Sequence, residues 1–184
     1  DSMSSLTLEI FCIFVLILLN GIFAMSEMAL VSARKGRLQK LANQGNAKAR
    51  IALELAASPN QFLSTVQIGI TLIGILTGAL GGVTIAKALE SWLKPIPLLV
   101  VESAAMALFI VVLSITYLSL VLGELVPKRL ALNNPEQIAT AVASQMRCLS
   151  KLAAPAVHLL SYSTDIVVRA LGIGPSQEPE VTEE

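Results

Sequence analysis

Three stretches of this chain run without a charged residue for long enough to cross a lipid bilayer. One lies between Glu9 and Glu27, one runs from Pro59 to Ala86, and one from Ser103 to Gly123. A hydrocarbon core of ~30 Å takes about 20 helical residues to cross. The chain as a whole is 54% hydrophobic and 14% charged, whereas a soluble domain carries about 25% charged residues. Its mean hydropathy is +0.73. These features predict an all-α integral membrane protein whose first partner is the lipid bilayer, with spans over about 6–30, 59–82 and 97–124.

The charges between the runs orient them. Arg34, Lys35, Arg37, Lys40, Lys48 and Arg50 follow the first run against Glu54, and Lys128 and Arg129 follow the third. Between the second and third come Lys87 and Lys94, with Glu90. Basic loops stay on the cytoplasmic side, so the N-terminus is expected outside and the C-terminus inside. In the first loop, Leu38, Leu41, Ala49, Leu53 and Ala56 recur at helical spacing around Asn43-Gln44-Gly45-Asn46. That pattern predicts a cytoplasmic helical hairpin. Trp92, beside Lys94-Pro95-Ile96-Pro97, suits the outer interface.

Residues 135–172 are apolar but interrupted by Arg147, Lys151, Pro155, His158, Asp165 and Arg169. Each charge near a bilayer centre costs about 2.5–3.5 kcal/mol, so juxtamembrane helices in the inner interface are expected rather than a fourth span. Residues 173–184 read as an acidic, turn-rich linker. The first run has no basic lead, since Asp1 and Glu9 precede it, and does not read as a cleaved signal peptide.

Several function classes drop out. The formal net charge is zero, and no basic stripe interleaved with aromatics points to nucleic acid. No nucleophile–base set suggests an enzyme. Cys12 and Cys148 form no CxxC pair, and the single histidine, His158, builds no zinc site alone; an interfacial position is expected for it.

Oxygen-bearing residues mark the spans. Ser64, Gln67, Thr71, Gly74 and Gly78 are spaced 3, 4, 3, 4 along one helical stripe. Small and hydroxyl residues pack membrane helices closely, yet the amide of Gln67 is costly to bury alone; the stripe reads either as packing or as an oxygen-lined groove. Asn20 and Glu27 share a face of the first span, and Ser114, Tyr117, Val121 and Glu124 share one of the third. Neighbouring spans reverse direction, so these groups are expected at one level, toward the cytoplasmic half. Glu27 reads either as a solvated charge near Arg34 or as part of a site. Glu124 reads either as an i,i+4 partner of Lys128 or as a cation ligand. Pro127 lacks an N–H and should free the carbonyl of Gly123 beside that carboxylate. Hard oxygen donors of this kind suit Mg²⁺, Ca²⁺ or Na⁺, and two carboxylates would also hold an ammonium-type cation.

Ser26-Glu27-Met28-Ala29-Leu30, Leu63-Ser64-Thr65-Val66-Gln67-Ile68-Gly69 and Gly123-Glu124-Leu125-Val126-Pro127-Lys128 together resemble the transmembrane domain of the CorC/CNNM family, whose bacterial members are often labelled hemolysin-like. The resemblance covers about residues 6–172. It implies a homodimer in the bacterial inner membrane and Mg²⁺ export coupled to Na⁺, with the ion held in an inward-facing polar cavity. Carried over by motif, the metal-binding positions include Ser26, Ser64 or Thr65, Gly123 and Glu124; on the reading of the residues themselves, Asn20, Glu27, Pro127 and Lys128 would support them. Many magnesium members have Gly-Asn-Asn where this chain has Gly69-Ile70-Thr71. Gln67 or Thr71 would have to supply the missing oxygen. The Val66-Gln67-Ile68-Gly69 pattern and the Gly45-Asn46 loop look more like a branch that includes a bacterial polyamine exporter, so export of putrescine or cadaverine is the alternative cargo reading. A membrane scaffold or sensor without transport is the alternative outside that class. The end, Glu180-Val181-Thr182-Glu183-Glu184, resembles the lead-in to that family's cytosolic CBS-domain pair, its expected intramolecular partner.

Overall fold

The computed structural model describes residues 2–93 and 103–171, and these are helical almost throughout. Among them, three helices are long and apolar enough to cross a membrane: Leu6–Ser32, Pro59–Ser91 and Ala104–Asn133. The first lies in α1 (Ser2–Ser32), the second in α4 (Pro59–Leu93). The third is composite: α5 (Ser103–Leu120) runs through a π-helical turn (Val121–Leu125) into α6 (Val126–Asn133). Large apolar side chains such as Phe11, Phe14, Leu72, Ile75, Phe109 and Leu113 are exposed along these helices, as lipid-facing surfaces require.

Pro127 does not end the third helix. It stands just past the π-helical turn, inside a helical run that continues on both sides of it. The helix therefore extends past the motif to Asn133, further than the expected limit near 124. Its expected start at 97, Lys94–Pro97 and the tail from 173 lie outside the described residues, and nothing is described of the Trp92 side chain.

Between α1 and α4 stand α2 (Lys35–Asn43) and α3 (Ala47–Ala57), the expected two-helix hairpin. Gly45 turns the chain at φ +90°, a conformation glycine adopts without strain. Asn46 then caps α3, its side chain accepting from Lys48 N at 3.0 Å and Ala49 N at 3.1 Å.

Residues 135–170 form one helix, α7 (Pro135–Ala170), not a set of shorter ones. Ala139, Thr140, Ala143, Met146, Ser150 and Val157 are its buried residues, and Lys151, His158, Asp165 and Arg169 are exposed. This segregation lets a charged helix run unbroken past Pro155, and it is not among the helices apolar enough to span.

The main core gathers at one end of the bundle. Phe23, Ala29 and Leu30 of α1 meet Leu38, Ile51, Ala52 and Leu55 of the hairpin, Phe62, Val66 and Ile73 of α4, Ala131 of α6, and Ala139, Ala143 and Met146 of α7. Ion pairs pin its rim: Arg37 to Glu136 at 3.7 Å and Arg147 to Glu54 at 3.6 Å. The Arg34 backbone N–H also donates to Glu136. Glu27, Glu124 and Lys128 fall where this packed end joins the apolar spans.

Candidate functional site

The site is organised by the π-helical turn. Pro127 has no N–H for the carbonyl of Gly123, four residues back. The side chain of Asn20 fills that role from α1, donating through Nδ2 to Gly123 O at 3.0 Å. Small residues on both helices permit the approach. A Cβ on Gly21 would lie 2.9 Å from Pro127 Cγ and 3.1 Å from Leu122 O, and one on Gly123 would lie 3.2 Å from Ile17 O and 3.3 Å from Asn20 Nδ2. The expected freed carbonyl thus has a hydrogen-bond partner. The other Asn20 amide atom, Oδ1, is fully shielded and meets no donor among the described residues.

A π-helical turn takes up one more residue than an α-turn, and this shifts the face that ends in Glu124. Ser114 and Tyr117, expected beside Glu124, are exposed instead, with Ser114 Oγ turned to Ile110 O at 2.7 Å. Glu124 shares a cavity of about 300 Å³ with Val112, Thr116, Ser119 and Leu120 of α5, Asn20 of α1, and Gly74, Thr77 and Gly78 of α4.

A second, larger groove of about 880 Å³ runs beside α4. Ser64, Gln67 and Thr71 line it with Glu27 of α1 and with Ser161, Thr164 and Asp165 of α7, against an apolar wall that includes Leu63, Ile68, Leu72, Ile75 and Leu160. The predicted α4 stripe is therefore divided: its oxygen-bearing part faces the groove, and its glycines face the smaller cavity.

Lys128 connects the two. Its Nζ lies 2.8 Å from Glu124 Oε1 and 3.8 Å from Glu27 Oε2, and about a quarter of its side chain is exposed (27%). Glu124 pairs with Lys128 one turn on, as the i,i+4 reading expected, and it also lines an oxygen-bearing cavity. Glu27 pairs with Lys128 at 3.8 Å.

Other predicted positions lie outside both cavities. Ser26 is fully buried and donates to Ile22 O at 2.6 Å; Thr65 is buried and donates to Gln61 O at 2.8 Å. Each hydroxyl replaces a solvent partner with its own helix backbone. His158 and Cys148 are exposed, and Cys12 is partly buried. Among the described residues no three His, Cys, Asp or Glu side chains gather as a metal centre would. A cation here would rest on one or two carboxylates, neutral oxygens and its own water.

Thr77, Thr116, Ser119, Ser161, Thr164 and Asp165 line the cavities but were not expected there. Thr116 and Ser119 could have been found by counting back from Glu124 with one extra residue in the turn. The α7 group carries a weaker signal, three oxygen-bearing residues within one turn or so of an apolar stretch.

The sequence has relatives. The family model described as the cyclin M transmembrane N-terminal domain matches residues 11–184. The chain belongs to the cyclin M (CNNM) transmembrane-domain family. It is a membrane protein of that family, as the three motifs implied. It is 57% identical over 181 residues to UPF0053 protein sll0260 of Synechocystis, covering 98% of this chain and 40% of that relative. It is 33% identical over 164 residues to UPF0053 protein YhdT of Bacillus subtilis, covering 89% of this chain and 36% of the relative. A protein named polyamine export protein in Haemophilus influenzae is 29% identical over 184 residues, covering 95% of this chain and 40% of the relative. The CNNM chain described here thus spans 36–40% of the length of these three relatives.

Proposed function

We propose that this chain is the membrane module of a cation transporter and that its cargo is Mg²⁺, carried outward from the cytoplasm. The observation that carries the proposal is the meeting of Glu124 and Glu27, from two different spans, on one positive charge at 2.8 and 3.8 Å. Carboxylates at the ends of membrane spans are costly unless they are partnered or face water, and such groups mark ion pathways. Mg²⁺ dehydrates reluctantly and is commonly held by one or two carboxylates with several waters retained. A cavity of about 300 Å³ that offers Glu124, Asn20, Thr116 and Ser119 suits an ion that keeps part of its shell. The unpartnered Oδ1 of Asn20 is a neutral oxygen of the kind that Gly69-Ile70-Thr71 does not provide. The groove with Ser64, Gln67 and Thr71 is the hydrated approach, and Ser26, Thr65 and the Gly123 carbonyl support the helices around it.

In this reading the chain is one subunit of a homodimer in a bacterial inner membrane, N-terminus outside. The hairpin and α7 lie on the cytoplasmic side, next to a CBS-domain pair, and Na⁺ is the coupling ion.

A second reading, polyamine export, has its own support. The group already held by the two glutamates is a primary ammonium, the chemistry of putrescine and cadaverine termini. The larger groove sets Glu27 and Asp165 against an apolar wall suited to methylenes, and one relative bears the name polyamine export protein. Thermal stability of the purified chain tests both. Stabilisation by Mg²⁺ that is lost in Glu124→Ala is expected; stabilisation by putrescine or cadaverine but not Mg²⁺ would give the second reading precedence. A response to neither would leave a scaffold or sensor.

A further inference from the structure

We propose that Lys128 is a tethered counter-cation: its ammonium is shared by Glu124 and Glu27 between transport events and is displaced when cargo binds. The inference rests on the cation-site reading above and adds the exchange step. Glu124 lines the smaller cavity and Glu27 the larger groove, while Lys128 Nζ reaches both carboxylates. Two partly buried carboxylates without a counter-charge would be strongly disfavoured at the edge of hydrocarbon. The ammonium offsets one of their two charges. A divalent ion offsets both, so it gains more from the pair than the lysine does, and its own charge then repels the ammonium from the position it held.

The lysine is built to leave. Its backbone is fixed by Pro127 and by the continuous α6 helix, but its charge rides on a flexible four-carbon stem. The side chain is partly exposed already, so rotation about that stem takes the ammonium to water without moving a helix. Binding then draws on the fraction of molecules in which the lysine has swung out, and the apparent affinity falls by that fraction.

The test pairs a binding measurement with a chemical probe. Mg²⁺ alone is titrated into the purified chain, its Glu124→Ala, Lys128→Gln and Lys128→Arg variants, by calorimetry. Removing the competitor should tighten Mg²⁺ binding in Lys128→Gln by roughly three- to tenfold, and Lys128→Arg should stay near the parent. In the unmodified chain, acylation of Lys128 by an amine-reactive reagent, read by mass spectrometry against Lys48 on the hairpin, should rise severalfold when Mg²⁺ is added and stay flat in Glu124→Ala. A purely structural ion pair predicts the reverse: equal or weaker binding in Lys128→Gln and no rise in labelling. Either result, with Mg²⁺ still bound by the unmodified chain, overturns the exchange and leaves the cation site standing. Equal Mg²⁺ binding by the parent and Glu124→Ala, or none by the parent, overturns the cation site and the exchange with it.

Discussion

Asn20 donates its side-chain amide to the carbonyl of Gly123 at 3.0 Å, tying α1 to the π-helical turn across 103 residues of sequence. The bond lies at the point where Pro127 withholds a backbone N–H, so one side chain restores what the proline removes. Its loss would take from the carbonyl of the buried Gly123 its partner on α1. We expect Asn20→Ala to cost about 1–3 kcal/mol, measured by thermal unfolding in detergent, and to weaken Mg²⁺ binding as well. Full stability in that variant would show that the amide does not hold the turn.

Close approach at the same junction gives a second prediction. Adding a methyl group at Gly21 meets the ring of Pro127 and the carbonyl of Leu122, and one at Gly123 meets α1 backbone. Overpacking of this kind costs about 1–3 kcal/mol. Gly36, in α2, has nothing within 4 Å of an added Cβ. Alanine there should stabilise by about 0.5–1 kcal/mol, because glycine is a poor helix former. Unfolding midpoints of the three alanine variants should therefore separate in opposite directions; a common shift would contradict the packing described.

The hairpin supplies a control remote from the carboxylates. Asn46→Ala removes a side chain that accepts from two backbone N–H groups of α3 and should cost about 1 kcal/mol. Cation affinity should be unchanged. A matching loss of affinity would mean that the hairpin, and not only the spans, shapes the site.

The spans were legible because charge is so costly in hydrocarbon that its absence marks them. The hairpin was legible because Asn43-Gln44-Gly45-Asn46 interrupts a helical pattern with residues that turn and cap. The register of Glu124 was not. A single π-helical turn inserts one residue, and hydropathy periodicity does not register it, so Ser114 and Tyr117 were placed where Thr116 and Ser119 stand. Pro127 looked like a break because its local effect is disruptive, whereas a long-range partner, Asn20, supplies the missing bond. In α7, the interruptions at Arg147, Lys151 and Pro155 argued against a span and for juxtamembrane helices; tertiary packing of Ala139, Ala143 and Met146 holds a single helix. The hydroxyls of Ser26 and Thr65 turn to their own helix backbone, a choice that composition does not reveal.

Transport by this module rests on Glu124 as the ligand of the cation it moves. The most direct test of that role is Mg²⁺ flux in proteoliposomes reconstituted with the chain or with Glu124→Ala, loaded with a Mg²⁺-sensitive dye and run in parallel with radiolabelled putrescine. Mg²⁺ flux by the chain is expected to fall at least tenfold, to the level of protein-free vesicles, in Glu124→Ala. Equal Mg²⁺ flux through both proteins, or putrescine flux with no Mg²⁺ flux, would contradict that role.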